Sequence, residues 1–339
     1  EPSAMLQTDT LNIMPETPGV PLDHAITDHR AWTCETIEPL ECIVPISDAA
    51  MEEILAMVEH MRANPLPALL RKPEQFEIAE LTTVMAEARG KLEHGTGVAV
   101  IDRLPMDELE AEIAVAVFWM IGHLIAQPVA QKWIGTMLYD VTDTGVKYEY
   151  GVRGSATSVE LVFHTDNAFG LAPPDYVGLL CHYPAKEGGL SRFCSLYSVH
   201  NRMLEKYPRE LARLYEPMLW DRQAEHAGGA PKVARAPMFQ WDGQRLHVRA
   251  NTSLNQKGYD VAGIEVPADV RDALAALNDV TSDENLWFGL PIERGQMQYL
   301  NNAETAHYRS EFIDSDDPAT KRHLVRTWHR DWGNQTYDG

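Results

Sequence analysis

Apolar residues recur at helical spacing in the first third of the chain. Three segments each place an apolar face on one side of a predicted helix. These helices begin at Ser47–Asp48, cover Ile78–Leu92 before a stop at Gly95, and run from Asp107 to about Ala126. Between the second and third helix, the apolar run Gly97–Ile101 predicts a buried strand.

From about residue 133 the pattern changes to short strand-like runs separated by turn residues. The predicted strands are Leu161–His164, Tyr176–Tyr183, Arg192–Leu196, Pro237–Trp241, Arg245–Arg249, Leu286–Leu290, Gln296–Leu300 and Arg322–His329. Two predicted helices, around Val199–Tyr215 and Ala268–Leu277, interrupt them. Many short strands with long insertions indicate an α+β, mainly β protein, a jelly-roll barrel with helical insertions and an N-terminal helical cap.

The N-terminal residues differ from the rest of the chain. Residues 1–45 are rich in Pro, Thr and Asp and show no sustained period, so we predict an irregular arm there. Residues 46–339 contain no internal repeat and no linker sharp enough to separate domains. They are predicted to form a single domain.

The composition excludes some classes of binding partner but does not indicate which reaction the protein catalyses. The net charge is −21, from 50 acidic and 29 basic residues, and an acidic surface repels nucleic acid and anionic lipid. Four cysteines without a CxxC pair predict free thiols, and neither a signal peptide nor a membrane-spanning apolar stretch is seen. We therefore expect a cytoplasmic protein that acts on a small molecule and binds neither nucleic acid nor membrane. Its oligomeric state is left open, a homo-oligomer included.

The first candidate for chemistry is the triplet His164-Thr-Asp166. With 13 histidines and 50 acidic residues, a His-x-acid triplet is expected about twice by chance, and His329-Arg-Asp331 is the second case. The segment Val159–His164 is mostly apolar and strand-like and ends at Asn167-Ala-Phe-Gly170, so His164 and Asp166 lie at a strand end. Side chains alternate along a strand, so His164 and Asp166 share a face and offer two ligands to a metal ion. The alternative is a hydrogen-bonded surface pair.

A third ligand has to come from a distant part of the chain. A predicted strand ends at the paired asparagines Asn301 and Asn302, and His307 follows after a short bend. Further on, Arg322 and Arg326 are four residues apart on a predicted strand and therefore share a face. Inward-facing guanidinium groups need anions, so this strand predicts an anion-binding surface. The alternative is a pair of surface salt bridges.

In their order and spacing, these motifs resemble a known superfamily. The matching residues are His164-Thr-Asp166, Gly188-Gly-Leu-Ser191, His307 and Arg322-x-x-x-Arg326. Together they resemble the taurine dioxygenase/TfdA-like superfamily of Fe(II)/2-oxoglutarate-dependent dioxygenases. The segments His164–Phe169 and Pro174–Tyr176 also resemble its clavaminate-synthase-like branch. The resemblance covers roughly residues 95–330 and implies a double-stranded β-helix fold.

The resemblance implies a role for each matching residue. The catalytic iron ligands would be His164, Asp166 and His307. Arg322 would pair with the distal carboxylate of 2-oxoglutarate, and the Ser191 hydroxyl, where the family usually has Thr, would help to hold it. Arg326 matches a position that contacts an anionic substrate in some members and the co-substrate in others.

The implied activity consumes O2 and 2-oxoglutarate, oxidises a C–H bond of a small anionic or amino-acid-like molecule, and releases succinate and CO2. Halogenating relatives replace the carboxylate ligand by a small residue, so the intact Asp166 favours hydroxylation or another oxidation. Tyr150, Arg153, Arg249 and Asn251 lie in segments that are candidates for the pocket wall, with a surface role as the alternative.

Other functions stay open from the sequence. A zinc hydrolase also uses two histidines and a carboxylate, but no H-E-x-x-H motif is present and the two arginines would have no role. A jelly-roll barrel that binds a ligand without catalysis is a further alternative. A kinase interpretation of His329-Arg-Asp331 fails, because no glycine-rich loop or Lys precedes it at the required places.

Overall fold

The structure is a computed structural model that describes residues 9–14, 20–149 and 152–338. Its helices are α1 Asp48–Ala63, α2 Ala79–His94, α3 Ala111–Gly122, α4 Leu196–Lys206, α5 Pro208–Leu214, α6 Thr252–Ala262 and α7 Ala268–Thr281. Strands β1–β9 are Thr10–Asn12, Ile43–Pro45, Val98–Asp102, Gln127–Val129, Tyr139–Val141, Leu161–His164, Tyr176–Tyr183, Glu187–Gly188 and Ser191–Ser195. Strands β10–β18 are Met218–Asp221, Val233–Ala236, Phe239–Trp241, Leu246–Val248, Trp287–Leu290, Met297–Asn301, Thr305–Arg309, Phe312–Ile313 and His323–Arg330.

Two sheets form the centre of the protein. The larger has seven strands in the order β2-β3-β15-β7-β18-β4, with β5 paired to β18 beside β4. The smaller has four antiparallel strands in the order β14-β9-β16-β6. Side chains from both sheets share one buried cluster, which includes Val98, Val177, Leu300 and Trp328 from the larger sheet and Phe193 and Phe288 from the smaller one. The two sheets therefore face each other.

Helices cover the outer faces of both sheets. The apolar faces of α1, α2 and α3 pack against the outward side chains of the larger sheet, among them Ala99, Ile101, Tyr299 and Val325. On the smaller sheet, α4, α5, α7 and the β10–β11 insertion form a second cluster with Cys194 and Ala306. Successive residues of a strand point to opposite faces of a sheet. Each central strand therefore packs one set of side chains against the helices and the other set into the space between the sheets.

The elements differ from the sequence predictions at definable points. The helix predicted around Val199–Tyr215 is two helices, because Pro208 begins α5 and Tyr207 before it leaves the helical conformation, with φ −137° and ψ 56°. The helix predicted from Asp107 begins only at Ala111. Helix α6 and the short strands β10, β11 and β16 were not predicted.

The predicted N-terminal arm contains regular structure where the chain is described. Strand β1 pairs in parallel with β11, and β2 pairs in parallel with β3 at the edge of the larger sheet. Residues 1–8 and 15–19 of this arm lie outside the described residues. Within the described ranges, no helix combines the length and apolar character that a bilayer crossing requires.

Candidate metal centre

Two histidines lie side by side on neighbouring strands of the smaller sheet. His164 is the last residue of β6, and His307 lies directly opposite it on β16. Their ring centroids are 4.1 Å apart. The Nε2 atoms of His164 and His307 lie 3.5 and 3.4 Å from Oδ1 of Asp166. The strand pairing therefore brings together three residues that are far apart in the sequence.

These three side chains have the chemistry of a metal site. Within the described part of the chain they are the one group of three or more potential ligands that converges, with all ligand atoms within 4.8 Å of each other. Ligands about 2.1 Å from an ion and at right angles would lie about 3 Å apart, close to the spacing seen here. Nδ1 of His164 lies 2.7 Å from the carbonyl oxygen of Val162. Donation to that oxygen leaves the Nε2 lone pair directed at the centre.

Local electrostatics keep the ligands in their metal-binding forms. Burial alone would raise the pKa of Asp166, but the positive charge of Arg326 and the proximity of both histidines hold that pKa well below its usual range. Burial, and then the neighbouring His164, lowers the pKa of His307. The carboxylate is therefore ionised and His307 is neutral, as metal ligands must be.

The backbone around the triplet is fixed by side chains from two other segments. Asn302 accepts a hydrogen bond from the Asp166 amide at 2.8 Å and donates to the Asp166 carbonyl at 3.1 Å and to the Pro174 carbonyl at 3.0 Å. Thr165 exchanges two hydrogen bonds with the backbone of Ala250, through its amide and its hydroxyl. The side chain that points away from the metal thus anchors the turn that carries the ligands.

The second carboxylate oxygen of Asp166 is also occupied. Oδ2 accepts a hydrogen bond from the indole Nε1 of Trp328 at 2.8 Å and lies 3.0 Å from a terminal nitrogen of Arg326. Nε of Arg326 donates to the amide oxygen of Gln131 at 2.8 Å, and the guanidinium lies over the ring of Tyr139. Arg326 is therefore part of the support of Asp166, although its second terminal nitrogen has no partner among the described residues.

A cavity of about 160 Å³ extends from the three ligands into the space between the sheets. Arg322, Leu324, Arg326 and Trp328 all line it, which agrees with the predicted shared face of this strand. Of the other pocket candidates, Arg153 and Asn251 line the cavity. Arg249 does not, and instead donates to the carbonyl oxygens of Ala168 and Gly170. Tyr150 lies outside the described residues.

Arg322 is a buried cation that lines the same cavity. It is 3% exposed, and burial lowers its pKa to about 10. Gly188 and Gly189 adopt positive φ angles of 74° and 66°, and a Cβ atom on Gly189 would lie 3.2 Å from Nε of Arg322. Gly189 therefore makes room for the guanidinium, and the buried Ser191 lines the same cavity.

The second His-x-Asp triplet forms no such centre. His329 is fully buried and interacts with the Ala126 carbonyl and the Thr327 hydroxyl. Asp331 pairs with Arg89. The two triplets thus differ in surroundings, as the sequence context indicated.

Several residues of the site were not singled out from the sequence. Trp328 lies on the predicted strand that carries Arg322 and Arg326 and points inward by strand alternation, a signal that was available. Arg309 lies on β16, which was not predicted as a strand. Asn302 was noted as part of a turn, without a role for its side chain. Gln131 gave no signal in the sequence, because its contact with Arg326 joins segments 195 residues apart.

A His-Asp-His triad with buried arginines in one cavity between two facing sheets defines a class of protein, the 2-oxoglutarate-dependent non-haem iron dioxygenases. The family model described as "Taurine catabolism dioxygenase TauD, TfdA family" matches residues 62–328. The chain belongs to this family. It is an Fe(II)- and 2-oxoglutarate-dependent oxygenase.

Individual relatives agree with this assignment. FR-33289 synthase of Streptomyces rubellomurinus is 25% identical over 313 residues, which cover 91% of each protein. The taurine hydroxylase-like protein SAT17 of Stachybotrys chartarum is 25% identical over 320 residues, 91% of this chain and 80% of that protein.

Two solved structures show the same fold. Asparagine oxygenase in complex with Fe(II), 2S,3S-3-hydroxyasparagine and succinate has a TM-score of 0.62 and 20% identity, covering 85% of this chain and 93% of that one. The oxygenase OrfP with Fe and alpha-ketoglutaric acid has a TM-score of 0.61 and 16% identity, covering 86% and 94%.

Proposed function

We propose that His164, Asp166 and His307 are the iron ligands and catalytic residues of this oxygenase. The observation that carries the proposal is the convergence of their three ligand atoms in the cavity between the sheets. When bound with 2-oxoglutarate and O2, iron supplies the oxidising power that removes hydrogen from a substrate C–H bond. The chain itself positions the reactants and keeps water from the site.

The co-substrate is proposed to lie between the metal and Arg322. Its 2-oxo acid end would reach the metal, and its distal carboxylate would meet Arg322, a buried cation that has no ion pair among the described residues. Ser191 is proposed to donate its hydroxyl to the same carboxylate. Arg326 is proposed to orient Asp166 and to offer its free nitrogen to the substrate or the co-substrate, as the resemblance implied.

The substrate is proposed to be a small anionic or amino-acid-like molecule that undergoes hydroxylation or another C–H oxidation. Three observations support this class. The cavity is small, it is lined on the substrate side by polar groups such as Asn251, Ser253 and Arg153, and the similar solved structures hold hydroxylated asparagine and arginine.

We also propose the type of β-fold, the domain division and the cellular location. Two facing sheets with the ligands between them support a double-stranded β-helix core, with residues 46–339 as one domain behind an N-terminal arm. The four cysteines are all free, and three of them are buried. Free thiols support the proposal of a reducing, cytoplasmic location.

The metal assignment can be tested by spectroscopy without turnover. Anaerobic protein with Fe(II) and 2-oxoglutarate should develop a visible charge-transfer band, and Asp166→Ala should weaken or abolish it. Asp331→Ala removes the acid of the second triplet and should leave the band unchanged. An Asp166→Ala variant with a full band and full substrate-driven succinate release would exclude the ligand assignment. A screen of amino acids and small carboxylates for succinate production would then identify the substrate.

A further inference from the structure

Arg309 is a further buried arginine in the metal cavity, beside Arg153 and Arg322, which were found from the sequence. It follows His307 by two positions on β16 and therefore points to the same face of the strand. Arg309 is 6% exposed and lines the cavity that contains the proposed metal ligands and Arg322. In the β9–β16 pairing it lies directly opposite Ser191.

The hydrogen bonds of Arg309 leave part of its guanidinium free. One terminal nitrogen donates to the backbone carbonyl oxygens of Thr157 and Val159. Nε and the other terminal nitrogen are buried and have no partner among the described residues. The two backbone carbonyls therefore fix the orientation of the group while two of its nitrogens remain available to a ligand.

Arg309 and Arg322 form a pair of cations around one aromatic ring. Each guanidinium carbon lies 5.0 Å from the ring centroid of Phe312. Neither arginine forms an ion pair within the described ranges, and a terminal nitrogen of Arg322 is likewise buried without a partner. Asp314 lies near Arg322 and Asp143 near Arg309, but neither carboxylate is in ion-pair contact. Two guanidinium groups in the interior without a directly paired anion are costly unless one enters between them.

We propose that Arg309 is a co-substrate-binding residue that shares the distal carboxylate of 2-oxoglutarate with Arg322. The carboxylate has two oxygens, so it can accept from both guanidinium groups and from the Ser191 hydroxyl. This inference rests on the proposed function, because it takes the cavity as the co-substrate site. It adds a second cation to the subsite and gives the two unpartnered nitrogens of Arg309 an acceptor.

Arg249 provides a control for the possibility that Arg309 has only a structural role. Arg249 also donates from one terminal nitrogen to two backbone carbonyls, those of Ala168 and Gly170, at 2.9 and 2.5 Å. It does not line the metal cavity and has no buried unpartnered nitrogen. Loss of Arg249 therefore removes the backbone contacts of a half-buried arginine without removing a cation from the cavity.

The test compares two 2-oxo acids that present the same metal-binding end. 2-Oxoglutarate carries the distal carboxylate and 2-oxobutanoate lacks it. Their dissociation constants would be measured anaerobically from the charge-transfer band of the Fe(II) protein, for the wild type, Arg309→Gln, Arg309→Lys and the control Arg249→Gln. The ratio of the two constants isolates the contribution of the distal carboxylate.

We expect Arg309→Gln to reduce the preference for 2-oxoglutarate by about tenfold or more, the usual effect of losing a charge-assisted hydrogen bond. Arg309→Lys should restore part of it, and Arg249→Gln should keep the wild-type ratio. An unchanged ratio in Arg309→Lys and in folded Arg309→Gln would overturn the inference, as would equal weakening of both acids. If the wild type binds neither acid, the proposed function fails instead.

Discussion

The indole nitrogen of Trp328 donates to Oδ2 of Asp166 at 2.8 Å, while Oδ1 of the same carboxylate faces the two histidines. The two oxygens of Asp166 thus have different tasks. One is free to bind a metal and the other is held by the protein, so the carboxylate is directed to bind through a single oxygen. The remaining positions of the ion are then left for the co-substrate and oxygen.

Removal of the indole hydrogen bond should weaken metal binding. Trp328→Phe keeps an aromatic ring next to Tyr337 but removes the indole donor and leaves Oδ2 with Arg326 alone. We expect the affinity for Fe(II), or for Co(II) as a stable substitute, to fall by about ten- to a hundredfold. Equilibrium dialysis with metal analysis measures this. Trp119→Phe, which removes a buried indole donor to the Arg71 carbonyl, is the control and should bind metal normally.

A methyl group at the glycine beside Arg322 should weaken co-substrate binding. In Gly189→Ala the new Cβ would lie 3.2 Å from Nε of Arg322 and would displace the guanidinium. We expect the dissociation constant for 2-oxoglutarate to rise roughly three- to tenfold, since about 1 kcal/mol changes affinity about fivefold.

Gly263→Ala separates this effect from backbone strain. Gly263 has the same positive φ of 66° as Gly189, but nothing lies within 4 Å of its Cβ position. Both variants should lose stability in urea denaturation, and only Gly189→Ala should lose 2-oxoglutarate affinity. Equal losses of affinity in both would mean that strain, not contact with Arg322, is responsible.

The side chain of Asn302 should contribute to stability as well as to the site. Asn302→Ala leaves the buried amide of Asp166 without an acceptor and two carbonyls without a donor. We expect the free energy of unfolding to fall by about 1–3 kcal/mol in chemical denaturation. Asn64→Ala, which removes an exposed hydrogen bond at the end of α1, should change it by less than about 0.5 kcal/mol. Similar losses in the two variants would contradict a special role for Asn302.

Buried histidines should make the protein sensitive to mild acid. His200 is fully buried against Tyr215 and Phe239, and burial lowers its pKa to about 4. A histidine in the unfolded chain titrates near 6.5. Between about pH 6.5 and about pH 4 the unfolded chain therefore takes up a proton that the folded protein does not. The free energy of unfolding falls across this window and levels off below it.

His200→Gln should remove that share of the pH dependence. We expect the difference in the free energy of unfolding between about pH 7 and about pH 4.5 to shrink by roughly 1 to 3 kcal/mol relative to the wild type. Urea denaturation at the two pH values measures it. His94→Gln, at an exposed position, should retain the wild-type difference. An unaltered pH dependence in His200→Gln would show that other groups determine it.

Much of the site could be predicted because strand alternation is visible in the sequence. The period of two placed His164 and Asp166 on one face and Arg322 and Arg326 on another, and all four line the cavity. Strand alternation does not predict which group each side chain contacts. Arg326 was expected to face substrate or co-substrate, and the structure shows that it also pairs with Asp166, a contact between segments 160 residues apart in the chain.

The helix α6 illustrates why other parts of the fold could not be predicted. Its residues Thr252–Ala262 are mostly polar and include Gly258, which disfavours a helix interior. In the structure a Cβ atom on Gly258 would lie 2.7 Å from the backbone nitrogen of Trp220. The glycine is therefore explained by close packing of α6 on β10, a tertiary contact that outweighs local propensity.

His164 and His307 lie directly opposite each other on β6 and β16, so their convergence depends on the register of this strand pair. A shift of one residue in this pairing would turn one imidazole to the other side of the sheet. An ion bound by both rings adds its binding energy only to the native alignment and gives nothing to slipped ones. Iron held by both histidines would thus favour the native register of this strand pair, in addition to its part in oxidation.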